Sequence, residues 1–482
     1  MTVQLVRPVH KCGIGAAVNT RTPYHDMFGQ AVSIQNRGYD GCGFSLLDES
    51  AHVIRTYKGE GKVTTVFQEY SVAEQVNSNR GIFNNRYKTT GDVNPRNLQP
   101  ITAGGFVVSH NGNVFNYRRL AEEHGITLEK DDSDTHVIAQ IIKQAGSFES
   151  GVRALAEGAL GAFNLVAMDA DGVVAAYRDP WGYHPLFAGR KGDSVYFASE
   201  EPGIYAVGIY DTEELKPGDL WLTDGKHTEK FSVRPPHTKS RVPIAERLCS
   251  FELPYFMRPG GSFNGILGSD FREAAGERLA MLDEFPNDGR HIVSPILNSG
   301  DHYAIGYSRG SGLPLRKAFI YNPDMTRIYM QWDKMTALGL TPQELAALKN
   351  MANPRIVKGK KVIVTDDSIV RASTIPKLVE ELFAAGAEEV HVRIGTPPII
   401  SSCHMGLDHS DKTKLSAVRA VENPETAEIE EIQEKVRLSL NPAPTSLRYL
   451  PLQDFKELLG DRNNHCFACF TGKYPFPLTN GT

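Results

Sequence analysis

The sequence predicts two domains of different class, an antiparallel α+β unit followed by an α/β unit, and three observations point there. Short β segments punctuated by turns run through residues 12–230. A polar, proline-bearing stretch at 231–242 (FSVRPPHTKSRV) then interrupts the chain. Beyond it a strand, a helix and a second strand follow in the order of a βαβ unit. The length of 482 residues agrees with such a division, at roughly 150 residues per domain.

Each element has a local reason. Residues 105–109 (GFVVS) form a β-rich run ended by the turn-forming residues His110-Asn111-Gly112-Asn113, and 117–123 show helical spacing. Residues 164–168 and 173–177 flank an Asp-Gly turn and read as a hairpin. In the second half, 362–365 (VIVT) is a short β-branched run of the kind buried in a parallel sheet. Leu378, Val379, Leu382 and Phe383 give 375–384 a helical face, Gly386 supplies its stop, and 389–394 (EVHVRI) is the next strand. Residues 331–360 carry only a weak amphipathic pattern, and mostly helix is expected there.

Composition narrows the function classes. With 52 basic against 57 acidic residues, net charge −5, the chain has no global attraction for nucleic acid or an anionic membrane. No apolar run approaches the roughly 18 residues of a membrane span. The opening MTVQLVRPVHK lacks the apolar stretch of a secretion signal. Six cysteines are too few for a disulfide scaffold in a chain of this length, so a cytoplasmic protein is expected.

The loop after the 362–365 strand carries the strongest chemical signal. It reads Asp366-Asp367-Ser368-Ile369-Val370-Arg371-Ala372-Ser373-Thr374 and lies between a strand's carboxyl end and a helix's amino end, where α/β sheets bind ligands. The helix offers N–H groups and a positive dipole end to a phosphate, and Ser368, Ser373 and Thr374 add hydroxyls. Two consecutive carboxylates disfavour a bare phosphate and suit sugar hydroxyls or metal-bound water. A ribose 5-phosphate satisfies both demands; an acidic, capped helix start with no ligand is the plain alternative. Elsewhere, Cys466-x-x-Cys469 reads as a zinc half-site, a redox pair or coincidence, and Cys249 and Cys403 complete a set of four thiols.

The string VIVTDDSIVRAST resembles the phosphoribosyl pyrophosphate (PRPP) signature of the glutamine PRPP amidotransferase family. The resemblance continues through AGAEEVHVRIGTPPI and CFTGKYP, and in the first half through Cys12-Gly13-Ile14-Gly15, Asn36-Arg37-Gly38-Tyr39-Asp40, Asn85-Arg86-Tyr87, 110–113, Ser133-Asp134 and Arg178-Asp179-Pro180. It implies an N-terminal-nucleophile glutaminase domain of αββα sandwich form over 12–235 and a type I phosphoribosyltransferase domain over 245–475. Residues 1–11 would be a propeptide whose removal makes Cys12 the first residue, its own α-amine serving as base. Asn111 and Gly112 would form the oxyanion hole, and Arg86 and Asp134 would grip glutamine's charged backbone groups. Ser299, Asp366, Asp367, Ser368, Arg371, Ser373 and Thr374 would hold PRPP and Mg²⁺. Cys249, Cys403, Cys466 and Cys469 match the branch of the family that carries a [4Fe–4S] cluster, zinc being the alternative, and Cys42 is left as a core residue. Glutamine and PRPP are the implied substrates, purine nucleotides the implied inhibitors, and a homodimer or homotetramer the implied assembly.

The departures cluster in the second half. The family's basic loop is reduced to Tyr321-Asn322-Pro323-Asp324, with Arg327 in register. Lys349 persists, but Pro354 stands for an arginine unless a one-residue gap restores Arg355. Leu297-Asn298-Ser299-Gly300 replaces Pro-Asp-Ser-Gly, Ala372 replaces glycine, and, in the first half, His184 replaces arginine. Two alternative readings follow: a paralogue that aminates another activated sugar phosphate, and a non-catalytic homologue that senses nucleotides.

Overall fold

The computed structural model describes residues 12–67, 75–87, 94–239, 241–321, 350–372, 374–406, 411–461 and 463–476. The expected propeptide 1–11, Ser373, Arg327 and Lys349 lie outside them.

The amino-terminal half contributes thirteen strands to two antiparallel sheets. They are β1 (Gly13–Val18), β2 (Gly41–Asp48), β3 (Val53–Glu60), β4 (Arg80–Arg86), β5 (Ile101–Ala103), β6 (Phe106–Val114), β7 (Gly161–Asp169), β8 (Val174–Tyr177), β9 (Phe187–Lys191), β10 (Ser194–Ala198), β11 (Thr212–Glu214), β12 (Asp219–Thr223) and β13 (Thr228–Ser232). One sheet runs β11-β9-β10-β1-β4-β2-β3 and the other β13-β12-β8-β7-β6-β5. Period-2 alternation divides their side chains between layers. Ile14, Ala16 and Val18 meet Val107, Val166, Met168 and Trp221 between the sheets. Ala17, Phe44 and Phe83 face outward onto Met27 and Ala31 of the helix Pro23–Ser33. Val108, Leu165 and Ala167 pack under the helices Asp134–Ala145 and Phe148–Gly158. The result is the expected helix–sheet–sheet–helix sandwich.

The second half is built on a parallel sheet, His291–Pro295, Lys361–Asp366, Glu389–Ile394 and Ser446–Tyr449, in that spatial order. Helices cover both faces, as a parallel sheet requires. Val293 and Ile363 pack on Gly268–Met281 and Asp301–Ser311, whereas Val362, Val364 and Val392 pack on Ile375–Ala384. Among the described residues no helix is long and apolar enough to cross a membrane.

One local expectation fails, and another falls mostly outside the described residues. Residues 110–113 do not turn: β6 continues to Val114, paired along its length with β7. A nine-residue partner supplies the ladder, and this outweighs the turn preference of Asn-Gly. Within 331–360, described from 350 on, Asn350–Ala352 is a strand paired with Phe319–Tyr321, and only Pro354–Val357 is helical. The short helix starts where Asn353 caps it through the Arg355 N–H and Pro354 occupies its first turn.

Candidate functional site

Cys12 directly precedes β1 and is buried beside β4. The Tyr87 N–H donates to its Sγ at 3.4 Å, and the Arg37 Nε donates to its carbonyl at 3.3 Å. Burial pushes the thiol above its ordinary value, against the opposing pull of Tyr87, Arg86 and Arg37. Such a thiol stays protonated at neutral pH, so its use as a nucleophile requires a base at hand.

Arg86 ends β4, buried, with Nη1 donating to the Asn97 carbonyl at 2.6 Å. Burial lowers its pKa, while Cys12, Asp134 and Asp40 favour its charge. Asp134 opens the helix Asp134–Ala145, whose start is set by Ser133 and a capping box with His136. Its Oδ2 accepts from the Val114 N–H and its Oδ1 from the Thr135 N–H, each at 2.9 Å. The structure therefore brings Cys12, Arg86 and Asp134 together electrostatically, with cation and anion on opposite elements.

Asn111 and Gly112 lie in β6, opposite Asn164 and Phe163. Asn111 is fully buried, yet neither of its amide atoms has a hydrogen-bond partner among the described residues. A buried, unpaired amide costs about 1–3 kcal/mol and marks a group kept for something else. Gly112 sits at φ +149°, where a Cβ would lie 2.0 Å from the Ala162 carbonyl oxygen, so no other residue fits.

The second site lies at the carboxyl end of the strand Lys361–Asp366. Ser299 Oγ donates to Asp366 Oδ1 at 2.5 Å, and Ser368 Oγ donates to Asp367 Oδ2 at 2.5 Å. Burial raises both carboxyls, Asp366 well above its ordinary value, and the neighbouring Asp367 raises Asp366 further. Ala372 holds the left-handed φ of +59°. Thr374 is exposed at the start of Ile375–Ala384 and forms no side-chain cap there, while Arg371 is partly buried.

The four remaining thiols converge from three segments. Cys249 faces Cys466 across a two-stranded parallel ladder, and Cys469 follows in the next turn. Burial raises the Cys469 thiol well above its ordinary value, and Cys403, Cys466 and Cys249 each raise it further. Among the described residues no group of three or more His, Cys, Asp or Glu side chains is arranged to hold a metal ion. Cys42 is buried in the core between β2 and the helix Pro23–Ser33, as expected, and burial pushes its thiol up to about 12.

Residues that sequence reasoning passed over join the two halves. Burial opposes the Arg37 charge, but Glu252 and Glu200 outweigh it and raise its pKa. Arg37 Nη1 lies 2.8 Å from Glu200 and its Nη2 lies 3.1 Å from Glu252, which also meets His184 Nδ1 at 2.9 Å, all four side chains being fully buried. His184 Nε2 in turn lies 3.3 Å from the Met405 carbonyl. Three residues past Glu252, burial raises the Tyr255 phenol well above its ordinary value, and it is raised further by Asp367 and Asp366 on one side and by Tyr39 and Tyr87 on the other. Arg37 stands inside the Asn36–Asp40 string, but its partners lie over 160 positions away in the chain, so no local pattern could reveal them.

Comparison with known proteins follows the same geometry. A family described as a glutamine amidotransferase domain matches residues 84–214, which include Arg86, Asn111, Gly112 and Asp134. The amidophosphoribosyltransferase of Methanocaldococcus jannaschii is 32% identical over 472 residues, 94% of this chain and 93% of that one. The Bacillus subtilis amidophosphoribosyltransferase is 30% identical over 466 residues, 93% and 91% of the two chains. A solved structure, glutamine PRPP amidotransferase from B. subtilis complexed with ADP and GMP, superposes with a TM-score of 0.82 at 28% identity, covering 98% of this chain and 99% of that one.

Proposed function

The chain belongs to the amidophosphoribosyltransferase family, and from that premise we propose that it makes 5-phosphoribosylamine from glutamine and PRPP at two linked sites. The observation that carries this reading is that one chain, similar to these enzymes over nearly its whole length, holds both the buried Cys12 beside Arg86 and the Ser299-bonded Asp366 with Asp367 at the end of a parallel strand.

Residues 1–11 are removed, and the new α-amine, with a pKa of about 8, takes the Cys12 proton. The thiolate attacks glutamine's side-chain amide carbon. The oxygen, now negative, is received by the Asn111 amide and the Gly112 N–H; one such donor is worth about 10²–10³ in rate. Arg86 and Asp134 hold the α-carboxylate and α-ammonium. The α-ammonium of Cys12 returns the thiol's proton to the amide nitrogen as the C–N bond breaks, ammonia leaves, and water later hydrolyses the glutamyl thioester to glutamate and the free thiol. Ammonia passes along the buried interior by Tyr255, shielded from bulk water, where it would mostly be protonated. It then displaces pyrophosphate at C1 of PRPP.

Asp366 and Asp367 receive the ribose hydroxyls and Mg²⁺, and their raised pKa values fit a pair that needs a cation or hydroxyl donors opposite it. When bound, Mg²⁺ neutralises the departing pyrophosphate. Ser299, Ser368, Arg371, Ser373, Thr374 and the helix amino end take the phosphates. Cys249, Cys403, Cys466 and Cys469 would hold a [4Fe–4S] cluster: the other three thiols act on Cys469, which is disfavoured as an anion until a cation joins them. Its role is structural, tying the carboxyl end to the segment at Cys249. The glutaminase domain spans 12–235 and the transferase domain 245–475. Purine nucleotides act as inhibitors of a cytoplasmic homo-oligomer.

The test is a product assay with amide-labelled glutamine and PRPP, together with Cys12→Ala. Labelled phosphoribosylamine is expected from wild type. The variant should lose glutamine-driven turnover, at least about 10³-fold, and keep ammonia-driven turnover. A variant that still uses glutamine would reject Cys12 as nucleophile. Intact mass should show loss of residues 1–11.

One observation favours a second reading. Ala372 holds a left-handed backbone in the loop where the family uses glycine, and the sequence carries fewer cations than the family in its basic loop. A paralogue acting on another activated sugar phosphate would show glutamine hydrolysis indifferent to PRPP and stimulated by that other sugar. Correctly processed protein without turnover would instead be a nucleotide-sensing homologue.

A further inference from the structure

The strand that carries Asn111 and Gly112 is held by the other half of the chain. Asn113 Nδ2 donates to the His404 carbonyl at 2.8 Å, across 291 positions of sequence. The next carbonyl, that of Met405, lies 3.3 Å from His184 Nε2. The Met405 side chain is buried in the core of the amino-terminal half, the one that holds Phe163, Leu165 and Trp181. The His404 ring packs edge-on against Phe115, one residue past the end of β6, with ring centroids 6.5 Å apart. Gly406, at φ +107°, closes onto Gly112 itself. A Cβ built there would stand 3.4 Å from the Gly112 carbonyl carbon and 3.5 Å from its oxygen. Residues 404–406 thus each meet the amino-terminal half, and they meet it chiefly at 112–115.

Joining two halves does not by itself need this arrangement. Apolar packing would serve as well, whereas an amide that donates to a carbonyl fixes a direction. The place it fixes is the one least able to fix itself. Without a Cβ, Gly112 has more backbone freedom to lose than any other residue type. Strand β7 limits it through Ala162, whose carbonyl oxygen sits 2.0 Å from where its Cβ would lie, and Gly406 limits it from the transferase half. A donor stabilises a developing oxyanion only when it is aimed before the charge appears.

We infer that Asn113 is a positioning residue: its bond to the 404–406 segment holds β6 so that the Gly112 N–H stays aimed at the oxyanion. This rests on the reading of Asn111 and Gly112 as the oxyanion hole.

Glutamine hydrolysis by the processed full chain tests it with Asn113→Ala. Removing one oxyanion donor outright costs about 10²–10³ in rate. Loosening it should lower kcat about tenfold with KM for glutamine within about twofold, because binding of the ground state is untouched. Two readouts separate aim from general damage. Labelling of Cys12 by iodoacetamide, a displacement that forms no tetrahedral oxyanion, should keep its wild-type rate. Ammonia-driven formation of phosphoribosylamine should stay within about twofold. An unchanged kcat, a change confined to KM, or an equal slowing of labelling or of ammonia-driven turnover would overturn the assignment. Should the alanine variant fail to fold, Asn113→Leu, nearly the same shape without the donor, carries the same expectations. Asn113→Ala at wild-type speed beside a slow Asn111→Ala would reject the positioning role alone, whereas a fast Asn111→Ala would reject the oxyanion reading beneath it.

Discussion

The thiol pocket and the carboxylate pocket are built on opposite principles. Around Cys12 nearly every charged group is anchored to backbone: Arg86 to the Asn97 carbonyl, Asp134 to two N–H groups, Arg37 to the Cys12 carbonyl. Both polar atoms of the Asn111 amide are left over among the described residues. At the other site two buried carboxyls face one another, with serine hydroxyls as partners, and both resist ionisation. On the proposed reading, the first pocket is organised before glutamine arrives. The second is completed by what it binds, because only a cation or a set of hydroxyls relieves the carboxylate pair. An enzyme can keep its nucleophile rigid and still leave its acceptor site dependent on substrate, which restrains wasteful release of ammonia.

That contrast can be broken in three places. The largest effect is expected at Asn111→Ala, which should lower glutamine-driven kcat about 10²–10³-fold and leave stability intact or improved, since the amide has no partner to lose. A marked loss in thermal unfolding temperature would mean that Asn111 is a structural residue. Next comes Asp366→Asn. Removing one of two repelling groups should stabilise the Mg²⁺-free protein by about 1–2 kcal/mol at neutral pH and abolish stabilisation by added Mg²⁺. The sign follows from the raised folded pKa: the wild type loses stability as pH rises through it, so the variant's gain should shrink as pH falls toward the ordinary aspartate value of 3.8. A gain independent of pH would refute the repulsion. The smallest effect belongs to Ala372→Gly. At φ +59° alanine bears a left-handed penalty that glycine avoids, so denaturant unfolding should show a gain of about 1 kcal/mol, with tighter PRPP binding. A loss would show that the Cβ is packed to advantage.

Much of this could be read from residue patterns alone, and the limits are physical. The helix Ile375–Ala384 falls where periodicity placed it, because it buries one well-marked face, and the strand Glu389–Ile394 falls where its β-rich run placed it, buried on both faces. The hairpin at Asp169–Gly172 was legible because its turn chemistry is local; β6 was not, because its continuation through Asn111 and Gly112 depends on β7, some fifty positions on. In the sites, Cys12, Arg86, Asp134 and the Asp366–Asp367 pair stand inside recognisable strings. Glu252 could not be picked out, and His184 stood out only as a departure: the acid takes meaning from the buried arginine it meets in space, and the histidine from that acid.

That meeting has a consequence for modularity. Arg37 belongs to the amino-terminal sandwich, yet one of its two counter-charges, Glu252, comes from the carboxyl half. Cut apart, the first half would keep the buried Arg37–Glu200 pair but lose the carboxylate that meets Arg37 Nη2 and His184 Nδ1, and a buried polar group deprived of its partner costs about 1–3 kcal/mol. The two activities are thus not interchangeable cassettes. Neither half can be grafted onto a foreign companion unless that companion brings its own acid to the seam.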